Sequence, residues 1–194
     1  MKILLLGSSK SGKSMLAQRL IRSLSQADGS KPYYWATMEP TDGEDRARIK
    51  KHLGDREGWG FETIECAKSI SAFLPSLHEN AAVLFDSITA LAANEMFGTA
   101  SSGYYQQPDR DAPQRTAADL RALMNRAAHT VLVCDELFRD GNTYSESTES
   151  YRRALAFICR ALAEECDAVC EVVCGHAIIH KGALPPLPTN ERSL

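Results

Sequence analysis

Short apolar runs alternate with amphipathic segments along most of this 194-residue chain. Residues 2–6 form an apolar run of strand length, which is typical of a parallel strand covered on both faces. Residues 14–24 carry apolar side chains at helical spacing. The same patterns predict further strands over residues 33–37, 61–65, 81–85, 130–134 and 168–174. Further helices are predicted over residues 42–53, 69–77, 89–97, 116–129 and 149–165.

This alternation of strands and helices predicts a single α/β domain, residues 1–194, with a mostly parallel sheet wrapped by helices. Ligands of such sheets bind beyond the carboxyl ends of the strands. Residues 98–114 are rich in Gly, Ser, Gln, Pro and Asp and have no hydrophobic period. We therefore expect a mobile loop there rather than a domain boundary.

Charge and composition exclude some classes of binding partner. The formal net charge is only −3 with both signs interspersed, which disfavours a broad electrostatic contact with nucleic acid or an anionic membrane. No segment approaches the roughly 20 apolar residues of a membrane span, and the first apolar run is too short for the core of a signal peptide. We expect a cytoplasmic protein with small-molecule partners, no nucleic acid and no membrane span.

The six cysteines fit reduced thiols of a cytosolic protein. Cys166, Cys170 and Cys174 are evenly spaced, which raises the alternative of a metal site. No Cys-x-x-Cys pair accompanies them, so we interpret them as small buried apolar residues.

A phosphate-binding motif follows the first predicted strand. Residues 7–14 match G-x-x-x-x-G-K-[ST] between an apolar strand and an amphipathic helix, which predicts a P-loop NTPase-like three-layer α/β fold. Backbone N–H groups and the helix N-terminus would surround phosphate oxygens. Lys13 would bridge the β- and γ-phosphates, and Ser14 would supply a hydroxyl to Mg²⁺. An ordinary serine-rich turn is the alternative. The predicted phosphate contacts are Gly7, Ser8, Ser9, Lys10, Ser11, Gly12, Lys13 and Ser14.

Acidic residues follow two of the predicted strands. A magnesium site on a phosphate loop usually includes an acid at the end of a neighbouring strand, and Asp86 has that position. Asp86 is also a candidate N-cap for the helix that follows. Asp135 and Glu136 form a second candidate pair, and position alone does not rank them.

A longer series of residues accompanies the phosphate loop. It comprises Ala36-Thr37, Asp42-x-Glu44, Arg48-Ile49-x-x-His52, Arg56, Thr63-x-Glu65, Asp86-Ser-Ile-Thr, Asn94, Asp135-Glu136 and the segment 167–175. This series resembles the bifunctional adenosylcobinamide kinase / adenosylcobinamide-phosphate guanylyltransferase family of cobalamin biosynthesis. The likeness covers nearly the whole chain, and its combination of motifs is far more specific than the phosphate loop alone.

The resemblance implies an enzyme that phosphorylates the aminopropanol hydroxyl of adenosylcobinamide and then transfers GMP from GTP onto that phosphate. In the family the second reaction passes through a guanylylated histidine, here His52, while Lys13 serves the phosphoryl transfer. GTP and ATP as substrates, Mg²⁺ and a homotrimer are implied as well. The implied nucleotide contacts outside the phosphate loop are Ala36, Thr37, Met38, Leu53, Gly54, Asp55, Arg56, Glu65 and Asp86.

The surroundings of His52 suit that chemistry. A neutral imidazole can attack the α-phosphorus of GTP and expel pyrophosphate, and nearby cations offset the developing charge. The nearby cations in the sequence are Arg48, Lys50, Lys51 and Arg56. A solvated histidine on a polar helix face is the alternative.

Several departures from the family pattern bear on the substrate, among them Ala156 and Cys159-Arg160 in place of a Gly and an Asn-Gln pair. The chain carries Asp135-Glu136 where the family usually has Asn-Glu, and Arg56-Glu57 where it usually has Arg-Pro. Two alternative functions therefore stay open: a P-loop kinase of another small metabolite, and a divergent nucleotide-binding regulatory protein without turnover.

Overall fold

The computed structural model describes residues 1–39, 58–99, 103–105 and 107–187, together with Gly43 and Gly54. The strands of its main sheet are β1 (Lys2–Gly7), β2 (Lys31–Ala36), β3 (Glu62–Glu65), β4 (Ala81–Asp86), β7 (His129–Asp135), β8 (Ala168–Val173) and β9 (His176–Lys181). A separate two-stranded sheet consists of β5 (Gly98–Thr99) and β6 (Gly103–Tyr104). The α-helices among the described elements are α1 (Lys13–Asp28), α2 (Ile88–Phe97), α3 (Ala112–Arg126) and α4 (Glu146–Ala163).

The main sheet is parallel except at one edge. Its spatial order is β3-β2-β4-β7-β1-β8-β9, and only the β8–β9 pair is antiparallel. The mostly parallel sheet predicted from the sequence is therefore confirmed. Since β7 lies between β1 and β4, the carboxyl ends of these three strands are adjacent, and ligands of open parallel sheets bind at such an edge.

Helices cover both faces of the sheet and give the three predicted layers. Leu4 and Leu5 of β1 are both 0% exposed, but they belong to different apolar clusters on opposite faces. Leu5 packs in the cluster that contains α1, and Leu4 in the cluster that contains α2, α3 and α4. Burial on both sides explains why this strand is a continuous apolar run.

The predicted helix over residues 69–77 is wrong. The chain forms two short 3₁₀ turns there, Ile70–Ala72 and Leu74–Ser76. Pro75 lies in the second turn and has no N–H to donate to a helical hydrogen bond. The apolar residues Ile70, Leu74 and Leu77 are all buried, so their helix-like spacing reflects burial of these turns.

The predicted loop over residues 98–114 is partly wrong. Its described part contains the β5–β6 pair, and α3 begins at Ala112, four residues before the predicted start at Thr116. Ala112 is wholly buried, and Pro113 lies in the first turn of the helix, where its missing N–H costs no hydrogen bond.

Strand β9 was not predicted from the sequence. It follows a tight turn at Cys174 and Gly175, which have φ angles of +48° and +81°. All six β9 residues are exposed, so the strand lacks the alternation of buried and exposed residues that sequence patterns detect. Among the described residues, no helix combines the length and the apolarity that crossing a bilayer requires.

Candidate active site

The predicted phosphate loop connects β1 to α1 at the carboxyl edge of the sheet. Gly7 has a φ of +150°, and a Cβ there would lie 2.5 Å from the Val172 carbonyl oxygen, so no other residue fits without movement of the backbone. Gly12 has a φ of +100° and precedes the first turn of α1. The N–H of Gly175 donates to the Ser11 carbonyl oxygen at 3.0 Å. The β8–β9 turn thus braces the loop, a contribution that the sequence analysis missed.

The N-terminus of α1 presents an electropositive surface. Its first turn contains no acidic residue, and Gly12 has no side chain that could cap it. The first backbone N–H groups of a helix have no intrahelical acceptor, and the helix dipole adds partial positive charge at this end. Such a terminus favours binding of a phosphate group.

Lys13 and Asp135 form an ion pair at this edge. Lys13 is only 6% exposed, and its Nζ lies 2.8 Å from Asp135 Oδ1 and 2.7 Å from the Ser8 carbonyl oxygen, to which it donates. Gly7 and Asp135 are register partners at the ends of β1 and β7. The structure thereby ranks the two acids that the sequence left open: Asp135 contacts the phosphate-loop lysine, and Glu136 binds Arg139 instead.

Asp86 points to the side of the sheet that α1 covers. Leu84, two residues earlier on β4, packs in the cluster that contains α1, and alternation directs Asp86 the same way. The Tyr34 hydroxyl donates to Asp86 Oδ2 at 3.0 Å. The N-cap of α2 is Ser87, whose Oγ accepts from the Ala90 N–H, so the alternative that Asp86 caps this helix is wrong.

The predicted contacts on β2 and β3 lie at the carboxyl ends of those strands. Ala36 and Glu65 are register partners in the last pair between them. Thr37 is 0% exposed, and its Oγ1 donates to the Ser87 carbonyl oxygen at 2.9 Å and accepts from the Ser87 N–H at 2.8 Å. Asn94 Nδ2 donates to the Thr37 carbonyl oxygen at 2.8 Å. Thr37 therefore joins β2 to the end of β4, and Met38 follows it at the same edge.

The remaining predicted site residues lie mostly outside the described part of the chain. His52, Leu53, Asp55 and Arg56 belong to that group. Gly54 is described and is exposed.

Comparison with known proteins identifies the family. A family model described as cobinamide kinase / cobinamide phosphate guanyltransferase matches residues 3–179. The chain belongs to this family. It is 28% identical over 181 residues to the bifunctional adenosylcobalamin biosynthesis protein CobU of Salmonella typhimurium. That alignment covers 90% of this chain and 97% of the relative. It is also 28% identical over 187 residues to the bifunctional protein CobP of Pseudomonas aeruginosa, which covers 94% and 98%.

A solved structure supports the fold assignment. The ATPase domain of G40P aligns with a TM-score of 0.50 at 11% sequence identity, covering 98% of this chain and 82% of that domain. At this identity the likeness concerns the fold alone. It confirms the predicted P-loop NTPase-like α/β fold of this member of the cobinamide kinase family.

A polar network lies beside the phosphate loop in this family member. Arg139 Nη1 lies 2.9 Å from Glu136 Oε1 and 3.2 Å from Glu171 Oε1, and His180 Nε2 lies 3.2 Å from Glu171 Oε2. The hydrogen bond from His180, together with Arg139, lowers the pKa of Glu171. The Glu136 N–H donates to the Gly7 carbonyl oxygen at 3.0 Å. These contacts join the residues after β7 to the β8–β9 hairpin.

Four of the six thiols of this cobinamide kinase homologue are buried in the core, and three of them are poor nucleophiles. Burial raises the pKa of Cys166 to about 12 and that of Cys170 to about 11. A hydrogen bond with Cys134 and burial raise the pKa of Cys159. A high pKa keeps a thiol protonated and unreactive. Cys174 is exposed, so the prediction that it is buried is wrong.

Arg152 organises the polar segment between β7 and α4. This side chain is 10% exposed, and its guanidinium donates to the carbonyl oxygens of Leu137, Asp140 and Asn142 and to the carboxylates of Asp140 and Glu149. Three backbone carbonyls of one segment thus converge on one planar group, a geometry that a lysine cannot match.

We expect Arg152→Met to lower the free energy of unfolding by about 1–3 kcal/mol, because three backbone carbonyls lose the guanidinium donor that they share and two carboxylates lose their counter-charge. Arg153→Met is the matched control, since Arg153 is exposed on the same helix. Urea denaturation of both variants measures the difference. Equal midpoints would show that Arg152 does not hold this segment.

Proposed function

We propose that this chain phosphorylates a hydroxyl group of adenosylcobinamide and then transfers GMP from GTP onto the phosphate that it has added. The observation that carries the proposal is the buried Lys13 at the start of α1, with Asp86 and Asp135 on the same side of the sheet. Membership of the cobinamide kinase / cobinamide phosphate guanyltransferase family supports the same two reactions.

In the first reaction the corrinoid hydroxyl oxygen attacks the γ-phosphorus of ATP or GTP. The bond between that phosphorus and the β–γ bridging oxygen breaks, the nucleoside diphosphate leaves, and the hydroxyl gives up its proton. Lys13 and the N–H groups of residues 7–14 offset the negative charge on the phosphoryl oxygens as it shifts toward the leaving group. These groups are preorganised by the short turn in which the Ser11 N–H donates to the Ser8 carbonyl oxygen at 3.3 Å.

We assign Ser14 and Asp86 as the residues that hold Mg²⁺ together with the phosphates. A hydroxyl and a carboxylate are the hard oxygen donors that this ion prefers, and both lie on the α1 side of the sheet. When bound, the ion neutralises charge on the β- and γ-phosphates. The Tyr34 hydroxyl orients the Asp86 carboxylate through its hydrogen bond to Oδ2.

In the second reaction we propose His52 as the nucleophile. Its ring nitrogen attacks the α-phosphorus of GTP, pyrophosphate leaves, and a P–N bond joins GMP to the imidazole. The corrinoid phosphate oxygen then attacks the same phosphorus, and the P–N bond breaks to release the imidazole. The setting Arg48-Ile49-x-x-His52 and the four neighbouring cations support this assignment.

We further propose a cytoplasmic homotrimer whose corrinoid site lies where subunits meet. A corrinoid is large relative to a domain of 194 residues that also binds a nucleotide. Multi-angle light scattering at micromolar concentration with GTP present is expected to give about three times the chain mass of 21.3 kDa. A monomer under these conditions would refute the shared site.

The proposed function is tested by incubating the protein with adenosylcobinamide, GTP and Mg²⁺ and measuring the corrinoid products by mass spectrometry. The expected products are the phosphorylated corrinoid, followed by the corrinoid that carries GMP on that phosphate. A phosphorylated product alone would show kinase activity without guanylyl transfer. Consumption of GTP with an unmodified corrinoid would contradict both reactions.

A further inference from the structure

Asp135 occupies the contact position that a bound triphosphate needs. Its Oδ1 lies 2.8 Å from Lys13 Nζ, and the Ser8 carbonyl oxygen is the second acceptor at 2.7 Å. The lysine is 6% exposed and Asp135 is 24% exposed, so water screens the pair only in part. Among the described residues, this carboxylate is the counter-charge that contacts Lys13.

The backbone fixes Asp135 at this place. Its register partner is Gly7 on β1, and its N–H donates to Thr89 Oγ1 at 2.7 Å. The Thr89 carbonyl oxygen in turn accepts from the Tyr151 hydroxyl at 2.7 Å. Asp135 thus lies on a paired strand end held from two directions, so the carboxylate and the ammonium separate by rotation of the Asp135 or Lys13 side chain.

Lys13 has too few N–H donors to keep both of its present acceptors and also bridge two phosphates. The lysine ammonium has three N–H donors, and two of them are used by Asp135 and Ser8. A lysine that bridges the β- and γ-phosphates needs two donors for phosphate oxygens. At least one present acceptor must therefore leave, and a carboxylate that stays beside Lys13 repels the incoming phosphates.

We propose that Asp135 competes with the nucleotide triphosphate for Lys13 and thereby sets the affinity of this site. Like charges near a buried cation oppose each other strongly, so nucleotide binding has to displace the carboxylate or overcome its repulsion. The inference rests on the proposed binding of nucleotide at residues 7–14. It gives Asp135 a role that differs from that of Asp86, because Asp86 accepts from the neutral Tyr34 hydroxyl.

If Asp135 has this role, its replacement should lower the stability of the free protein and raise its affinity for GTP. Without nucleotide, Asp135→Asn should lower the melting temperature, because the buried Lys13 loses its counter-charge. With GTP, the same substitution should raise affinity about tenfold, because the competing charge is gone while the amide keeps a similar shape. A residue that only supports the fold would lower both quantities when replaced.

Calorimetric titration with GTP tests the proposal, with EDTA in one series and Mg²⁺ in the other. The expected gain for Asp135→Asn is about tenfold in EDTA and smaller with Mg²⁺, which already neutralises part of the phosphate charge. Asp111→Asn is the matched control, because it removes the same charge from an exposed position at the start of α3. In the Lys13→Ala background the gain in GTP affinity from Asp135→Asn should shrink, because the cation for which Asp135 and the triphosphate compete is absent.

The outcomes separate the inference from the function on which it rests. Equal or weaker GTP binding by Asp135→Asn, with normal binding by the wild type, would overturn the role of Asp135 alone. A tenfold gain in Asp111→Asn as well would assign the effect to net charge and would also overturn it. Absence of GTP binding by the wild type would refute the proposed nucleotide site itself.

Discussion

Lys13→Ala is expected to weaken GTP binding at least about tenfold and to lower phosphoryl transfer to the corrinoid at least about 100-fold. A charge-assisted contact contributes roughly 1.5–3 kcal/mol to binding. A preorganised donor at the reacting group contributes about 10²–10³-fold to turnover.

The control for this prediction is Lys31→Ala. Lys31 begins β2, at the opposite edge of the sheet from the phosphate loop, and pairs with Glu62 at the surface. GTP affinity and the rate of corrinoid phosphorylation, measured for both variants, should separate them clearly. Unchanged values for Lys13→Ala would show that residues 7–14 do not form the nucleotide site.

His52→Ala is expected to abolish covalent labelling of the protein by α-labelled GTP. The wild type should retain the label after denaturation, because the GMP is joined to the imidazole through a P–N bond. Such a phosphoramidate is labile to acid and stable to base, whereas phosphate esters of serine behave in the opposite way. GTP binding at residues 7–14 should remain in the variant, since the phosphate contacts of that motif are independent of His52.

The matched control for the labelling experiment is His78→Ala. His78 is exposed, and its Nδ1 accepts from the Asn80 N–H within its own turn. This variant should be labelled as strongly as the wild type. Full labelling of His52→Ala, or a label on the wild type that resists acid and is lost in base, would place the GMP on another residue and remove His52 from the mechanism. Absence of label on the wild type would favour the plain kinase.

Local signals in the sequence were sufficient to predict the parallel sheet and the loop between β1 and α1. Burial on both faces leaves a continuous apolar run, as in β1, where Leu4 and Leu5 enter different clusters. The glycine positions of the loop follow from backbone geometry, as the 2.5 Å approach of the Val172 carbonyl oxygen to a Cβ on Gly7 shows. The apolar run depends on residues close together in sequence, and the glycine position depends on a single steric requirement.

Three features were not predictable, because the hydrophobic pattern of the sequence does not determine them. Strand β9 has no buried face, so its residues carry no periodic pattern. The turns at residues 70–76 have helical spacing because three apolar residues are buried, although Pro75 opposes a regular helix. The ranking of Asp135 over Glu136 required the register of β7 against β1, because neighbouring residues on a strand differ only in the face to which they point.

Tracing the phosphorus atoms of GTP tests most directly whether one chain carries out both transfers on a corrinoid. Parallel incubations contain adenosylcobinamide, Mg²⁺ and GTP labelled either at the α- or at the γ-phosphorus. We expect the γ-label to appear on the corrinoid first and the α-label to join the same molecule later as GMP. Release of the γ-label as inorganic phosphate, with the α-label remaining in the nucleotide, would show that the chain performs neither transfer.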